Sequence, residues 1–203
     1  MRTCKSLITA LIALLALGPA DAADSTLRPL VIGAPAPVFA FTDIQRRAGT
    51  VDSYRDWIVV YTVADRESSD PLMEWMGPAG VELVRLFPAM RIARINLADL
   101  TGVPGMMSGV VTPILRRIDS KASKQLLESY RANNITYNPA TDVFHLIPDW
   151  EGDLMAQLGV DGAEQWRVWI AHRGVIVEYL DATVPNYAGR YRVAISRLAG
   201  GLQ

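Results

Sequence analysis

The stretch "IVVYTVADRESSDPLMEWM", residues 58–76, decides how this chain is read. It opens with Ile58, Val59, Val60, Tyr61, Thr62 and Val63, an unbroken run of β-branched and aromatic residues, which reads as a buried strand. It closes with Leu72, Met73, Trp75 and Met76 at helical spacing. Pro71 suits the first turn of a helix, where its missing N–H costs nothing, and Asp70, or Ser69 beside it, is then the expected N-cap. Between strand and helix lies a polar turn, Asp65 to Asp70. Many α/β enzymes keep their chemistry at such a turn.

Working outward, the chain alternates strands with helices. Val38 to Phe41 alternates as a strand, and Gly49 falls at an expected hairpin turn. The helix after the quoted strand runs to about Leu86, and Met90 to Leu97 reads as the next strand. A Gly/Pro loop follows (Gly102, Pro104, Gly105, Gly109), then a long helix from about Thr112 to Asn133, with Pro113 in its first turn. Its apolar stripe is Ile114, Leu115, Ile118, Ala122, Leu126, Leu127 and Tyr130. "TDVFHLIPD" is a short strand, and "DWEGDLMAQLGV" a short helix with Gly159 as its C-cap. "WRVWIAHRGVIVEYL" is a hairpin, and a terminal helix stops at Gly200 and Gly201. This order predicts a layered α/β fold on a mixed central sheet, with helices on both faces.

The first 22 residues have the three parts of a secretory signal: basic Arg2 and Lys5, an apolar Leu7 to Leu17, and Ala20-Asp21-Ala22 as the cleavage signal. The rival reading is an uncleaved anchor, although the apolar stretch is short for a span. The expected organisation is a signal peptide over 1–22 and one domain over 23–203, in the periplasm or secreted. The only cysteine, Cys4, precedes the apolar stretch, where it is poorly placed for lipidation and is lost on cleavage. A mature chain without cysteine forms no disulfide and does no thiol chemistry. The net charge of −1, or −2 once Arg2, Lys5 and Asp21 are removed, gives no electrostatic argument for nucleic acid or for an anionic membrane.

In its order of elements, over about residues 30 to 200, the chain resembles the thioredoxin fold, as a three-layer sandwich. It is most similar to the secreted thiol reductases and peroxiredoxins, which carry an extra helix and strand. That resemblance places a Trp-Cys-x-x-Cys motif after Val63, where the helix dipole lowers a cysteine's pKa. Laid on without gaps, the two cysteine positions fall on Arg66 and Ser69. The resemblance also implies a cis-proline before the final hairpin; Glu164 or Gln165 stands there instead. The turn "ADRESS" and the loop "INLADLTGVPGMMSG" resemble the small YtfJ-like family of secreted thioredoxin-fold proteins, with Asp65 in place of the usual glycine.

Several chemistries can be weighed at these residues. Ser68, Ser69 and Asp70 read first as helix caps. An anion or peptide site is the functional alternative: free N–H groups, Arg66 and the Ser68 hydroxyl could clamp a carboxylate, against the acids Asp65, Glu67 and Asp70. A serine hydrolase needs a base and an orienter. Only His145, in a strand, and His172, in a hairpin turn, are available, and there is no G-x-S-x-G elbow. His145 reads as a satisfied interior histidine and His172 as a solvated one. Two isolated histidines do not make a zinc site. Met106, Met107, Met73 and Met76 could offer thioethers to copper, but read more simply as core filling. Asp149, Glu151 and Asp153 read as a capped helix start, with Asp149 as N-cap, rather than a calcium loop.

The expectation is therefore a redox-inactive thioredoxin-like protein with no cofactor or metal, binding an envelope protein or peptide. Its candidate contacts are Arg66, Glu67, Ser68 and Ser69, with Trp150 and Trp166 lining a groove for an extended peptide. The rival is an enzyme with non-thiol chemistry at the Asp65–Asp70 turn.

Overall fold

The computed structural model describes residues 29–162 and 165–201. The proposed signal segment and Glu164 lie outside the described residues, as does the side chain of Arg66. The run 58–63 is the centre of the fold: β3 (Ile58–Ala64) is buried from Ile58 through Val63. It pairs in parallel with β4 (Ile92–Asp99), which pairs in parallel with β5 (Asp142–Asp149). On its other side β3 pairs antiparallel with β6 (Arg167–His172), which turns through Arg173-Gly174 into β7 (Val175–Asp181). The sheet order is β5-β4-β3-β6-β7, a mixed sheet as expected.

Strand alternation sends side chains to two cores. On one face, Ile58, Val60, Ile92, Val168 and Ile170 pack against Leu72, Met76 and Leu83 of α1 (Arg66–Leu86) and Tyr191 and Ile195 of α4 (Tyr187–Gly200). On the other, Val59, Tyr61, Ile95, Ile147 and Trp169 lie beneath the hairpin of β1 (Ala40–Thr42) and β2 (Ala48–Thr50) and α3 (Asp153–Gln157). Helix α2 (Ser108–Ala132) lies alongside α1.

Both long helices begin earlier than their prolines suggest. Pro71 and Pro113 are each the sixth residue of their helix, not part of its first turn. Each proline leaves one carbonyl without its intrahelical donor, that of Glu67 or Gly109. Those residues and both prolines are exposed, so water can take the carbonyl. In α1 the stronger local signal wins: Asp65, not Asp70 or Ser69, is the N-cap. Gly49 sits within β2 rather than in the turn, because a Cβ there would stand 2.9 Å from the Phe41 ring. Arg46, at φ 67°, makes the turn instead.

Gly159 ends α3 as expected, at φ 75°. Its N–H reaches the Ala156 carbonyl and the Val160 N–H reaches that of Met155, a Schellman motif. The edge of β5 is covered by Ile44 N–H and the Arg47 guanidinium, which donate to the carbonyls of Leu146 (2.8 Å) and Phe144 (2.8 Å). At the far edge, Gly33 and Ala34 bond the backbone of Ile176 and the register shifts within the β6–β7 pair. Both devices discourage a further strand from adding.

Candidate functional site

The parallel strands β3, β4 and β5 all end on one side of the sheet, and β6 begins there. Asp65, Asp99, Trp150 and Trp166 are therefore neighbours of a single rim. The sequence-picked residues do gather there, but they do not all face solvent: Ser68 and Trp166 are buried.

At the turn, Asp65 Oδ1 accepts the Ser68 N–H (2.7 Å) and the Ser68 hydroxyl (2.7 Å). The Asp65 N–H donates back to Ser68 Oγ (3.1 Å). This reciprocal capping box satisfies two of the donors that a helix start leaves open. Burial opposes ionisation of Asp65, but the Ser68 hydroxyl and the turn's N–H groups outweigh it and hold the carboxyl below its ordinary range. Ser68 is buried and its hydroxyl is engaged at both ends, so it is a structural cap. Ser69 is half-buried, and its N–H makes the first helical bond to the Asp65 carbonyl (3.1 Å). Glu67 and Asp70 are exposed. Positions 66 and 69 lie three apart in the first turn, hence on one side of the helix.

Across from the turn, the segment before β6 is tied by the Arg167 guanidinium, which donates to the Gly162 carbonyl (2.8 Å). No cis peptide occurs among the described residues. Gln165 is exposed. Trp166 corrects the expectation of a peptide groove: it is only 4% exposed and packs among Trp75 (5.5 Å between ring centroids) and Tyr187 (5.0 Å) under α1 and α4. Trp169, on the opposite face, is also fully buried, its indole N–H donating to the Leu30 carbonyl (3.0 Å). A sheet covered on both faces buries both tryptophans, one in each core. Trp150 is half-buried and keeps accessible surface at the rim.

Asp149 caps α3 from the last position of β5, not as the N-cap residue, which is Gly152. Its carboxylate takes the N–H groups of Gly152 (3.1 Å), Leu154 (3.1 Å) and Met155 (2.8 Å). Burial nonetheless dominates these bonds and raises its pKa. Met106 and Met107 are not core residues: Met106 is 90% exposed, whereas Met76 is buried. Copper ligation through these four thioethers would have to join a core residue to a solvent-facing one.

The sequence reading missed a second polar constellation. His145 Nδ1 lies 2.9 Å from Asp43 Oδ2, and its Nε2 lies 2.8 Å from the Tyr54 hydroxyl. Asp43 also takes the backbone N–H groups of Gln45 (3.0 Å) and Arg47 (2.9 Å) and the Arg47 guanidinium (2.6 Å). Desolvation opposes ionisation of Asp43, but these donors, His145 foremost, prevail and lower its pKa. The chain Asp–His–hydroxyl has the order of a nucleophilic triad, but burial raises the Tyr54 pKa, the opposite of activation. It is a strut from the β1–β2 hairpin to β5. His145 is thus the satisfied interior histidine expected. His172 is half-buried, its Nδ1 3.3 Å from the Trp57 carbonyl, so it is less solvated than expected. On the other face of the sheet Arg94 pairs with Asp142, which also takes the Tyr130 hydroxyl (2.5 Å).

No family model and no curated protein matches the chain. Solved structures do. One is a putative protein disulfide isomerase from Bacteroides thetaiotaomicron (17% identity, TM-score 0.56, covering 84% of this chain and 91% of that one). Another is a putative thiol:disulfide interchange protein DsbE from Chlorobium tepidum (14%, TM-score 0.50, 84% and 99%). A third is a thiol:disulfide interchange protein from Bacteroides sp. (13%, TM-score 0.51, 86% and 93%). At these identities the likeness is one of architecture, and the chain has a thioredoxin-like α/β fold.

Proposed function

We propose that this is an exported protein, cleaved after Ala22, that uses a thioredoxin-like scaffold for binding rather than for thiol redox chemistry. Its partner is an envelope protein or peptide, met at the rim formed by the Asp65–Asp70 turn. The observation that carries this is what occupies the place of the redox thiols. Position 66 is arginine and position 69 serine, and the only cysteine of the whole chain is Cys4. Ser68, the turn's other hydroxyl, is closed into the capping box with Asp65. Neither histidine is among its hydrogen-bond partners: His145 is held by Asp43 and Tyr54, and His172 lies beside the Trp57 carbonyl. This weighs against the rival reading of non-thiol catalysis at the turn.

Glu67 and Arg66 are the proposed contacts, beside Trp150. An arginine at the positive end of a helix is locally unfavourable unless it is solvated or an anion compensates it. A partner carboxylate held by Arg66 would resolve that conflict. A preparation starting at Ala23 should neither reduce insulin disulfides nor consume peroxide by a thiol route, and detectable reductase turnover would refute the reading. Envelope proteins captured on this bait are then titrated. Arg66→Ala should weaken binding by about 1.5–3 kcal/mol, the cost of a charged hydrogen bond, whereas equal affinities retire the turn as a contact.

A further inference from the structure

Helix α2 has two apolar faces, and among the described residues the body of the protein covers only one. Asp119 and Tyr130 mark the inward face and are buried. On the outward face, Val110, Ile114 and Ile118 are each more than half exposed, and Met106 and Met107 extend the line beyond the helix start. Val110, Ile114 and Ile118 follow one another at four-residue intervals, so they form one ridge along the helix rather than scattered apolar residues. From Met107 to Ile118 the ridge is about 16 Å long at 1.5 Å per residue. Exposed apolar surface that is contiguous in this way marks an interaction site.

The charges beside the ridge say what covers it. At 100° per residue, Arg117, Lys121 and Lys124 fall on the outward half of the helix, and all three are exposed. The only acid between Met106 and Lys124 is Asp119, which is buried on the other side. Lys121 and Lys124 are also the only lysines in the chain apart from Lys5. A chain of net charge −1 has thus set Arg117 and Lys121 beside an apolar ridge with no acid paired to them among the described residues, while Lys124 lies 3.9 Å from Glu128. A second copy of the chain would bring the same cations against themselves, and the one exposed acid of the helix, Glu128, already faces Lys124 of its own chain. A folded partner would need a groove complementary to a convex ridge. A lipid surface needs none, because its acyl boundary deforms around apolar side chains while anionic headgroups meet the flanking cations.

We propose that the outward face of α2 seats this protein on an anionic lipid surface, lying along it rather than crossing it. Among the described residues no helix is long and apolar enough to cross a membrane. This site is independent of the Asp65–Asp70 turn.

The test places an environment-sensitive NBD label at Met106→Cys in a Cys4→Ser background. The protein is taken as exported by its host, with its N-terminus read by mass spectrometry. On phosphatidylglycerol vesicles at low salt the NBD emission should rise and shift to the blue, and on phosphatidylcholine vesicles it should stay that of water. Ile114→Gln with Ile118→Gln should abolish the shift. Arg117→Gln and Lys121→Gln should each lower the partition by roughly fivefold, Lys124→Gln should lower it less because Glu128 already faces that cation, and salt should lower it for the parent. A label that stays in water on phosphatidylglycerol overturns the proposal. That result holds even if residues 1–22 are retained and bind lipid, because the label reports position 106 alone. It is also the result expected if an acidic protein is the true occupant. Equal shifts on the two lipids, or a shift that the Gln variants leave unchanged in chains with the parent's unfolding midpoint, overturn it as well.

Discussion

Asp43 and Asp65 are alike in chemistry and opposite in origin. Both carboxyls are held below their ordinary pKa against the cost of burial, and both take N–H groups of their own turn. Asp65 finds its partner three residues on, at Ser68, within a single helix start. The histidine that defines the Asp43 network is 102 residues away, across the layer between the hairpin and β5. The first arrangement is local and forms wherever the helix forms. The second exists only when the tertiary structure is complete, so it fastens the fold in a way that a cap cannot.

The largest effect should therefore come from breaking the long-range network. Asp43→Ala strips partners from His145, from the Arg47 guanidinium and from two backbone N–H groups, and should cost about 3 kcal/mol in urea unfolding. Tyr54→Phe leaves His145 Nε2 without its hydroxyl and should cost about 1 kcal/mol by the same measurement. Asp65→Ala removes an N-cap and should cost about 0.5–2 kcal/mol. Combined with Asp43→Ala it should be additive within about 0.5 kcal/mol, since the two carboxylates share no partner. A larger coupling would mean that the turn and the hairpin are one unit.

Acid sharpens the comparison. A carboxyl whose folded pKa lies below its unfolded one stabilises the fold fully above the ordinary carboxylate range and loses that contribution as pH falls through its folded pKa. Asp43 and Asp65 both act in this sense. Asp149 acts oppositely: its raised folded pKa makes ionisation a cost, so its contribution is full below the ordinary carboxylate pKa and lost as pH rises through the raised folded one. Asp43→Ala should flatten the loss of stability between about pH 5 and pH 2, and Asp149→Asn should steepen it. Parallel acid titrations of the parent and both variants would show this, and identical profiles would deny the assignment. The smallest effect belongs to Asp70→Ala. Asp70 is exposed and inside the helix, so its loss should change stability by no more than about 0.5 kcal/mol. A cost near that of Asp65→Ala would restore Asp70 as the cap.

Hydrophobic patterning alone carried the sequence a long way. The run Ile58–Val63 read as a buried strand, the spacing of Leu72, Met73, Trp75 and Met76 as the helix that follows it, and "WRVWIAHRGVIVEYL" as the hairpin of β6 and β7. Those are short-range periodicities, legible one element at a time. The chain's single cysteine is likewise a statement the sequence makes unaided. The helix starts were misjudged because proline is a permissive signal in a first turn, whereas the Asp65–Ser68 box is a positive one. The pattern Asp-x-x-Ser was in plain sight.

Other features could not be read from the chain. The pairing of Asp43 with His145 depends on a hairpin closing over a strand 102 residues later. The burial of Trp166 and Trp169 together depends on both sheet faces being covered, which no single strand reports. The apolar stripe predicted for α2 was real in sequence, but Tyr130 turned inward while Ile114 and Ile118 turned out. A helical period gives the residues of a face, and only the packing of the neighbours decides which faces are covered.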